Sequence, residues 1–227
     1  MFDAEFWARW LGIVLIDLSL AGDNALVIAM AVRSLPRRQQ MVGRIWGTLG
    51  AVGLRIAFIG IISYLFRVPF LQFAGGLILL YIALKLVRQE GGGEDHVRQG
   101  TSLREAIWII ILADVVMSLD NVLGVAAAAH GDMVLVVFGI ALSLPLVVWG
   151  SGILARLMSR YPWIVWIGGG VLGYVAGELL LKDPAIERLV GDIPHATHYI
   201  LPIGLAILMT ALGWWFARRH RAATIPA

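Results

Sequence analysis

The sequence predicts an all-α, polytopic membrane protein with seven transmembrane helices, arranged as two inverted three-helix repeats plus a C-terminal helix. Three observations predict this fold: an apolar composition, seven long apolar segments and a polar motif that occurs twice. Of the 227 residues, 59% are hydrophobic and only 15% are charged, and the mean hydropathy is +0.83. This balance is typical of membrane proteins and excludes an ordinary soluble domain.

Seven apolar segments are long enough to cross a hydrocarbon core, which takes about 20 helical residues. They cover about 8–32, 41–66, 70–88, 103–129, 132–156, 162–181 and 199–217. The one sizeable polar insert, RQEGGGEDHVRQGTS at 88–102, is rich in glycine and charge, which suits a flexible linker. We therefore expect a single integral membrane domain over 1–227. Its parts are repeat 1 at about 8–88, a cytoplasmic linker at about 89–102, repeat 2 at about 103–181 and helix 7 at about 199–217.

Basic residues in membrane-protein loops favour the cytoplasm, so the loop charges predict an orientation. When the predicted loops alternate, twelve arginines fall on one side and four basic residues on the other. We therefore expect a multi-pass protein of the cell (inner) membrane with its N-terminus outside and its C-terminus in the cytoplasm. This distribution accounts for the net charge of +3 and the pI near 9.6 without a nucleic-acid partner. The N-terminal MFDAEFWARW carries acids where a secretory signal would be basic, so we expect helix 1 to be retained.

A polar motif interrupts the apolar sequence twice. LIDLSLAGDNALVIA at 15–29 and ADVVMSLDNVLGVA at 113–126 share the pattern Asp-x5-Asp-Asn at a separation of 97 residues. The six motif residues are Asp17, Asp23, Asn24, Asp114, Asp120 and Asn121. A second block repeats in the same order, because RVPFLQFAGGLILLYIALKL from Arg67 aligns with RYPWIVWIGGGVLGYVAGEL from Arg160 at a separation of 93. The sequence therefore predicts an internal duplication.

Each repeat holds three helices, an odd number, so the second repeat enters the membrane from the opposite side. Inverted repeats are typical of secondary transporters, in which the substrate site lies near the bilayer midplane where the two repeats meet. The motif aspartates lie near the middle of helices 1 and 4. We therefore expect these helices to cross near the midplane, with the carboxylates of Asp17 and Asp114 close to a single ion.

The spacing within the motif leaves its geometry open. A helix turns about 100° per residue, so the first aspartate and the asparagine share one face, whereas the second aspartate points about 120° away. Either each helix is interrupted, near Gly22 in repeat 1 and Leu119 in repeat 2, and both carboxylates converge, or the second aspartate serves a different partner.

Five acidic residues lie inside predicted helices: Asp17, Asp23, Asp114, Asp120 and Glu178. An ionised carboxylate at the bilayer centre costs at least a few kcal/mol, so these groups require partners. Arg55, near the middle of helix 2, is the obvious counter-ion, and Lys85 is near enough to the cytoplasmic end of helix 3 to snorkel. The seven charges add to −3, which one divalent cation reduces to −1. An unoccupied site should therefore hold protons.

Competition between protons and a metal for the same oxygens is the physical basis of a proton-coupled cation carrier. Asp and Asn supply oxygen ligands, which suit hard cations such as Mg²⁺, Ca²⁺ and Mn²⁺. Met117, close to Ser118 and one turn from Asp114, could add a thioether that favours Mn²⁺, although core packing explains a methionine more simply. The chain has no cysteine, which excludes disulfides and thiolate metal sites, and we expect no prosthetic group.

The doubled motif, the LRIAF of helix 2 and the GGLILLYIALKL and GGGVLGYVAGEL blocks resemble the TerC family of integral membrane proteins, particularly its compact YjbE-like branch. The resemblance covers nearly all of residues 7–218. It implies Mn²⁺ as the exported ion, a link to tellurium resistance, membership of the lysine-exporter superfamily and a transport site made of the six motif residues. Repeat 1 has Ala21 where repeat 2 has Ser118, so the resemblance does not extend to a symmetric pair of hydroxyls.

These observations together predict a secondary transporter, not an enzyme, that exports a divalent metal ion, Mn²⁺ by the resemblance, in exchange for protons. The expected partners are the ion, protons and the lipid bilayer, and a homo-oligomer stays open. The accessory or gating residues that we expect are Arg55, Lys85, Met117, Ser118 and Glu178.

Two other function classes stay open. Intramembrane aspartyl proteases also pair aspartates, which share a proton to activate water. Here AGDN lacks the Gly-x-Gly-Asp of those enzymes, and proteolysis does not explain the duplication. A non-transporting stress-resistance or sensor protein is the other class, for which the sequence offers no soluble signalling domain. His195 and His198, with Asp192, form a loose cluster before helix 7, which a solvated loop explains more simply than a metal site.

Overall fold

The structure of the protein is a computed structural model, and the part of the chain that it describes is all-α, as the sequence predicts. It describes residues 7, 10–11, 22–65, 68–88, 102–129, 133–191 and 194–223. Within these ranges there are eight helices: α1 (Gly22–Val32), α2 (Arg37–Leu65), α3 (Leu71–Arg88), α4 (Leu103–Ala129), α5 (Met133–Arg160), α6 (Trp163–Leu181), α7 (Pro184–Val190) and α8 (Thr197–Ala223).

Four of the described helices are both long and apolar enough to cross a membrane. They run over Leu71–Arg88, Val137–Arg160, Trp163–Leu181 and Thr197–Arg219. Helices α2 and α4 have 29 and 27 residues, and at about 1.5 Å per residue each is longer than a hydrocarbon core of about 30 Å. Several apolar helices of this length are what a multi-pass membrane protein requires. The count of seven spans stays a prediction.

Helix α4 is continuous through the second polar motif. It runs without a break from Leu103 to Ala129 and so passes Leu119, one of the two places where the sequence allows an interruption. The alternative of a broken helix is therefore wrong for repeat 2. The reason is local: neither proline nor glycine occurs between Leu103 and Asn121, so nothing prevents regular backbone hydrogen bonding there. The corresponding segment of repeat 1 before Gly22 lies outside the described residues.

The most extensive helix–helix packing is between α6 and α8, and glycines of α6 permit it. A Cβ atom added at Gly177 would lie 2.6 Å from Pro202 Cα, and one at Gly173 would lie 2.7 Å from Leu205 O. The neighbours are backbone atoms of α8, which cannot move aside as a flexible side chain can. Small residues therefore set how closely these two apolar helices approach, as is common in membrane proteins.

Helices α3 and α6, which carry the block repeated at a separation of 93, meet in a reciprocal contact. A Cβ atom at Gly76 of α3 would lie 3.0 Å from Leu180 Cγ of α6, and one at Gly169 of α6 would meet Val87 of α3. Gly76 and Gly169 are equivalent in the alignment, and so are Val87 and Leu180. The same contact is thus made twice with the roles of the helices exchanged, as a local two-fold relation requires.

The first helices of the two repeats do not pack equivalently. A Cβ atom at Gly75 of α3 would lie 3.0 Å from Val116 Cγ1 of α4, whereas one at Gly168 of α6 would lie 3.0 Å from Met30 Sδ of α1. The repeat 1 residue equivalent to Val116 is Ser19, which precedes α1 and lies outside the described residues. In the described part of the chain, α3 and α6 therefore make equivalent contacts with each other. By contrast, α4 and α1 contact the equivalent glycines Gly75 and Gly168 through residues at different positions of the repeat.

A short helix that the sequence predictions do not include, α7, follows α6 directly. Asp183 is its N-cap, accepting a hydrogen bond from Ala185 N at 2.8 Å, and Pro184 stands at the first helical position. The same carboxylate accepts hydrogen bonds from Phe70 N at 3.3 Å and Phe73 N at 3.1 Å, at the start of α3. Asp183 is only 1% exposed and therefore ties the beginnings of α3 and α7 together.

Candidate functional site

A buried ion pair joins α2 to the second polar motif on α4. Arg55 Nη2 lies 2.6 Å from Asp114 Oδ1. Ser118 connects the two groups, because its Oγ accepts a hydrogen bond from Arg55 Nε at 2.9 Å and donates one to Asp114 Oδ2 at 3.1 Å. The three residues are at most 9% exposed. Arg55, the expected counter-ion, thus forms an ion pair with one of the motif acids, Asp114.

Close approach of α2 to α4 places this ion pair. Gly47 and Gly50 of α2 face α4 so closely that an added Cβ atom would lie 2.7 Å from the Cδ1 atom of Ile110 or Ile111, respectively. Without side chains at these positions the helix axes come near enough for a guanidinium to reach across the interface. Ser118 lies one turn after Asp114 on α4 and therefore on the same face.

The first polar motif has a different environment. Asp23 lies in the first turn of α1, is partly buried, and in the described part of the chain makes neither a hydrogen bond nor an ion pair. The negative charge of Glu178 on α6 is near enough to act on it. Asn24 is 6% exposed, and its side-chain Oδ1 makes no hydrogen bond to a described residue. Asp23 is therefore a partly buried acid without an ion-pair partner among the described residues, and the next residue, Asn24, carries a buried amide oxygen.

Two further charged residues occupy equivalent positions in the repeated block, Lys85 on α3 and Glu178 on α6. Lys85 makes an ion pair with Glu105 in the first turn of α4, and Glu178 Oε2 lies 3.6 Å from Nζ of Lys182, the residue that follows α6. Side chains of both pairs are about one-third to one-half exposed, so solvent or headgroups screen them. The equivalent positions thus carry opposite charges, and only Glu178 adds negative charge beside a motif acid in the described part of the chain.

Met117 is 7% exposed and packs in the apolar core with Val116 and Ile110. This location agrees with the packing interpretation of Met117. Three of the six motif residues cannot be placed in a site: Asp17 lies outside the described residues, and for Asp120 and Asn121 only the helical backbone is described. The expected proximity of the Asp17 and Asp114 carboxylates therefore stays a prediction.

Among the described residues, no three His, Asp or Glu side chains come together as metal ligands. His195 and His198 are exposed between α7 and the first turn of α8, while Asp192 lies outside the described residues. The exposure of both histidines agrees with the interpretation of this segment as a solvated loop.

Sequence reasoning missed Asp183. Burial alone would raise the pKa of its carboxyl, but backbone N–H groups of Phe73, Ala185, Phe70 and Gln72 together hold that pKa below its usual range. The Asp-Pro dipeptide predicts an N-cap with proline at the first helical position, and this signal identifies the start of α7. The hydrogen bonds from Phe70 and Phe73 to Asp183 join residues more than one hundred positions apart, and no local sequence pattern predicts them.

Comparison with known proteins places the chain in one family. It matches the family described as "Integral membrane protein TerC family" over residues 2–222. It is 43% identical over 200 residues to "Uncharacterized membrane protein YjbE" of Bacillus subtilis, covering 88% of this chain and 90% of the relative. It is 24% identical to "Uncharacterized membrane protein YkoY" of the same organism (92% and 72% covered) and 22% identical to "UPF0053 inner membrane protein YgdQ" of Escherichia coli (88% and 92% covered). No solved structure matches the chain.

The family match spans nearly the whole chain, and the relatives named here are membrane proteins that align over most of its length. This agrees with the long apolar helices and with charged residues held between them. The chain belongs to the TerC family of integral membrane proteins.

Proposed function

We propose that the chain is a secondary transporter that exports a divalent metal ion, with Mn²⁺ as the substrate that the TerC resemblance favours, in exchange for protons. Ionisable groups within membrane-spanning helices are costly, and such groups mark ion pathways in membrane proteins more often than they serve structure. Here the described motif acids, Arg55 and Glu178 lie on α1, α2, α4 and α6. The reciprocal contact of α3 and α6 supports the inverted repeats on which many secondary transporters are built.

The observation that carries the proposal is Asp23 of the first motif, a partly buried acid that makes no ion pair with a described residue. Glu178 of α6 adds its negative charge to the surroundings of Asp23, and Asn24 Oδ1 is a buried acceptor without a donor among the described residues. A divalent cation bound at Asp23 would neutralise this negative charge, and carboxylate and amide oxygens are the donors that hard cations bind. Protons are the alternative neutralising species when the metal is absent, which gives a physical basis for exchange.

Asp114 has a separate role in this proposal. Arg55 already balances its charge, so Asp114 becomes available to a cation only when Arg55 moves away or is itself compensated. We assign the Arg55–Asp114–Ser118 group to charge compensation beside the ion path, and Asp23, Asn24 and Glu178 to ligation. Asp17, Asp120 and Asn121 stay candidate ligands by their place in the motif.

The ion pair also bears on the protease alternative. In an aspartyl protease two carboxylates share one proton, and a carboxylate held by a guanidinium at 2.6 Å is poorly suited to that role. Among the described residues, Asp23 has Glu178 rather than a second aspartate as its acidic neighbour. Transport therefore accounts for the arrangement of charge better than proteolysis does.

The test is ion flux into proteoliposomes that contain the purified full-length protein. We expect Mn²⁺ movement that depends on a proton gradient, with a matching pH change inside the vesicles. Asp23→Asn and Glu178→Gln should each lower the flux at least tenfold, because each removes a ligand charge and preserves shape (about 1.4 kcal/mol per factor of ten). Glu187→Gln, which removes an exposed carboxylate of α7, is the matched control and should leave the flux unchanged.

Absence of flux for Mn²⁺, Mg²⁺ and Ca²⁺ alike in vesicles that contain folded protein would refute the transport proposal. Flux that Asp23→Asn and Glu178→Gln leave at the wild-type rate would retain a transporter but remove the α1–α6 contact as its ion site.

A further inference from the structure

Two guanidinium groups meet at the backbone of Gly152, where α2 packs against α5. Arg44 Nη1 of α2 donates to Val148 O at 3.4 Å, and Arg156 Nε of α5 donates to Gly152 O at 3.2 Å. A Cβ atom at Gly152 would fall on the Arg44 guanidinium, 2.8 Å from its Cζ. The absence of a side chain at Gly152 therefore gives Arg44 its place and lets like charges from two helices come together.

Neither of these positive charges is balanced by a described residue. Helices α2 and α5 contain no aspartate or glutamate. Arg44 and Arg156 also make no ion pair within the part of the chain that the structure describes. Like charges near the edge of a low-dielectric membrane repel each other more strongly than they would in water. A bound anion would remove this repulsion.

Unsatisfied polar atoms lie on the same face of α2. Arg44 Nε and Thr48 Oγ1 are both buried without a hydrogen-bond partner among the described residues, and Thr48 follows Arg44 by one helical turn. A threonine inside a helix commonly donates to the carbonyl four residues earlier, and Thr48 does not do so here. Buried polar atoms without partners are rare in folded proteins. An anion with several acceptor oxygens beside Arg44 would supply the acceptor that Nε lacks.

The surroundings indicate that this anion belongs to a lipid. Trp46 and Trp149, which neighbour the two contact segments, are 61% and 77% exposed, and Ile153 beside Gly152 is 53% exposed. Large aromatic side chains on the outer surface of membrane helices favour the headgroup level. Basic pockets between membrane helices on the cytoplasmic side bind anionic headgroups, and the arginine count predicts that side for these helix ends.

We propose that Arg44 and Arg156, brought together at Gly152, form a binding site for the phosphodiester headgroup of an anionic phospholipid. Each guanidinium presents several N–H donors to a phosphate oxygen, and hydrogen bonds of this charge-assisted kind are stronger than neutral ones. The site involves no motif acid, so its test does not depend on the proposed metal transport.

Retention of phosphatidylglycerol by the purified full-length protein in detergent, counted by native mass spectrometry, tests the proposal. Phosphatidylcholine, which carries the same phosphate without net charge, is the lipid control. Gly152→Ala removes no charge but displaces the Arg44 guanidinium, and we expect it to weaken phosphatidylglycerol binding about tenfold, as loss of one charge-assisted hydrogen bond would. Gly150→Ala, where an added Cβ meets nothing within 4 Å, should bind as the wild type does.

A second pair of variants separates this site from general surface charge. Arg156→Gln should weaken phosphatidylglycerol binding about tenfold, whereas Arg160→Gln, one turn later on the same helix, should change it little. Equal losses in the two arginine variants, or in the two glycine variants, would overturn the site. Displacement of the lipid by millimolar inorganic phosphate, with the same dependence on Gly152, would assign the site to a free phosphate and overturn the lipid assignment.

Discussion

The ion pair with Arg55 determines how a substitution of Asp114 affects stability. The two side chains are buried together, and charge neutrality at the α2–α4 contact depends on both. Removing one partner of a buried pair leaves the other charge uncompensated in a low-dielectric environment, whereas removing both leaves only neutral groups. Mutational effects at this contact are therefore expected to be strongly non-additive.

We predict that Asp114→Asn lowers the free energy of unfolding by about 3–5 kcal/mol, and that Asp114→Asn combined with Arg55→Gln restores most of it. Unfolding in detergent, followed by the fluorescence of the nine tryptophans, measures both. Glu105→Gln is the control, because its ion pair with Lys85 is partly exposed and should contribute no more than about 1 kcal/mol. A double variant as unstable as the single one would show that this ion pair is not the cause.

At this scale the sequence predicts the types of residue better than their partners. Arg55 is identifiable because it is the basic residue in the middle of an apolar segment, and such a residue requires an acid nearby. Which acids it contacts depends on how the helices pack, and only the structure identifies Asp114 as one of them. The approach of Glu178 to Asp23 depends on the α1–α6 contact, for which the sequence carries no local signal.

At the scale of the helices, hydropathy predicts the long apolar helices. It does not predict the short helix α7 or the continuity of α4 through its motif. The predicted segments at 70–88, 103–129 and 162–181 agree with α3, α4 and α6 to within about one residue at each end, as apolar runs bounded by proline or charge should. Helix α7 is too short to have a periodic signal. The sequence leaves the continuity of α4 open, because Asp120 points about 120° from Asp114 on a regular helix and an interruption would let the two carboxylates converge.

We predict that Gly177→Ala lowers the stability of the α6–α8 contact by about 1–3 kcal/mol, because the added methyl would lie 2.6 Å from Pro202 Cα and the helices would have to separate. The midpoint of thermal unfolding in detergent measures the effect. Gly204→Ala on α8 is the control, since an added Cβ there meets nothing within 4 Å. Similar midpoints for the two variants would mean that α6 and α8 do not pack this closely.

The Asp183 cap predicts a pH dependence. Its pKa is held below the ordinary value of about 3.9, so the unfolded chain binds the proton more readily than the folded one. The stabilisation is therefore complete above the unfolded pKa and is lost as the pH falls from about 4 toward the lower folded pKa. Asp183→Asn should cost about 1–3 kcal/mol at pH near 7, and the difference from wild type should shrink below pH of about 4.

Unfolding measured at several pH values checks this, with Glu187→Gln on the same short helix as the control. A difference between Asp183→Asn and wild type that stays constant through the acid range would mean that the carboxylate charge contributes nothing to the cap.

At the scale of the whole molecule, the contacts between segments fit the predicted alternation of sides. The Lys85–Glu105 pair, the Arg44–Gly152 contact and the hydrogen bond from Phe70 to Asp183 each join segments that the loop charges assign to one side of the membrane. Hydropathy and loop charge thus predict which helix ends lie together. They do not predict which helices pack most closely, since that depends on where glycines remove bulk.

We predict that His195→Cys is labelled by a membrane-impermeant maleimide in intact cells, and that Ser102→Cys is labelled only after the cells are opened. Both positions are exposed, and the natural chain has no cysteine to give background labelling. The expected pattern follows from the excess of arginine on the side that contains Ser102. The reverse pattern would invert the predicted orientation while leaving the helix packing untouched.

The carboxylate of Asp183 has a mechanical consequence. It is anchored beyond the end of α6 and holds the beginning of α3, so pulling these helix ends apart would strip hydrogen bonds from at least two backbone donors at once. Asp183 therefore resists separation of the start of α3 from the end of α6 and the start of α7. Helix α3 packs less extensively on α4 than on α6. If the proposed transport requires these helices to move, we therefore expect α3, α6 and α7 to move together and the contact between α3 and α4 to change.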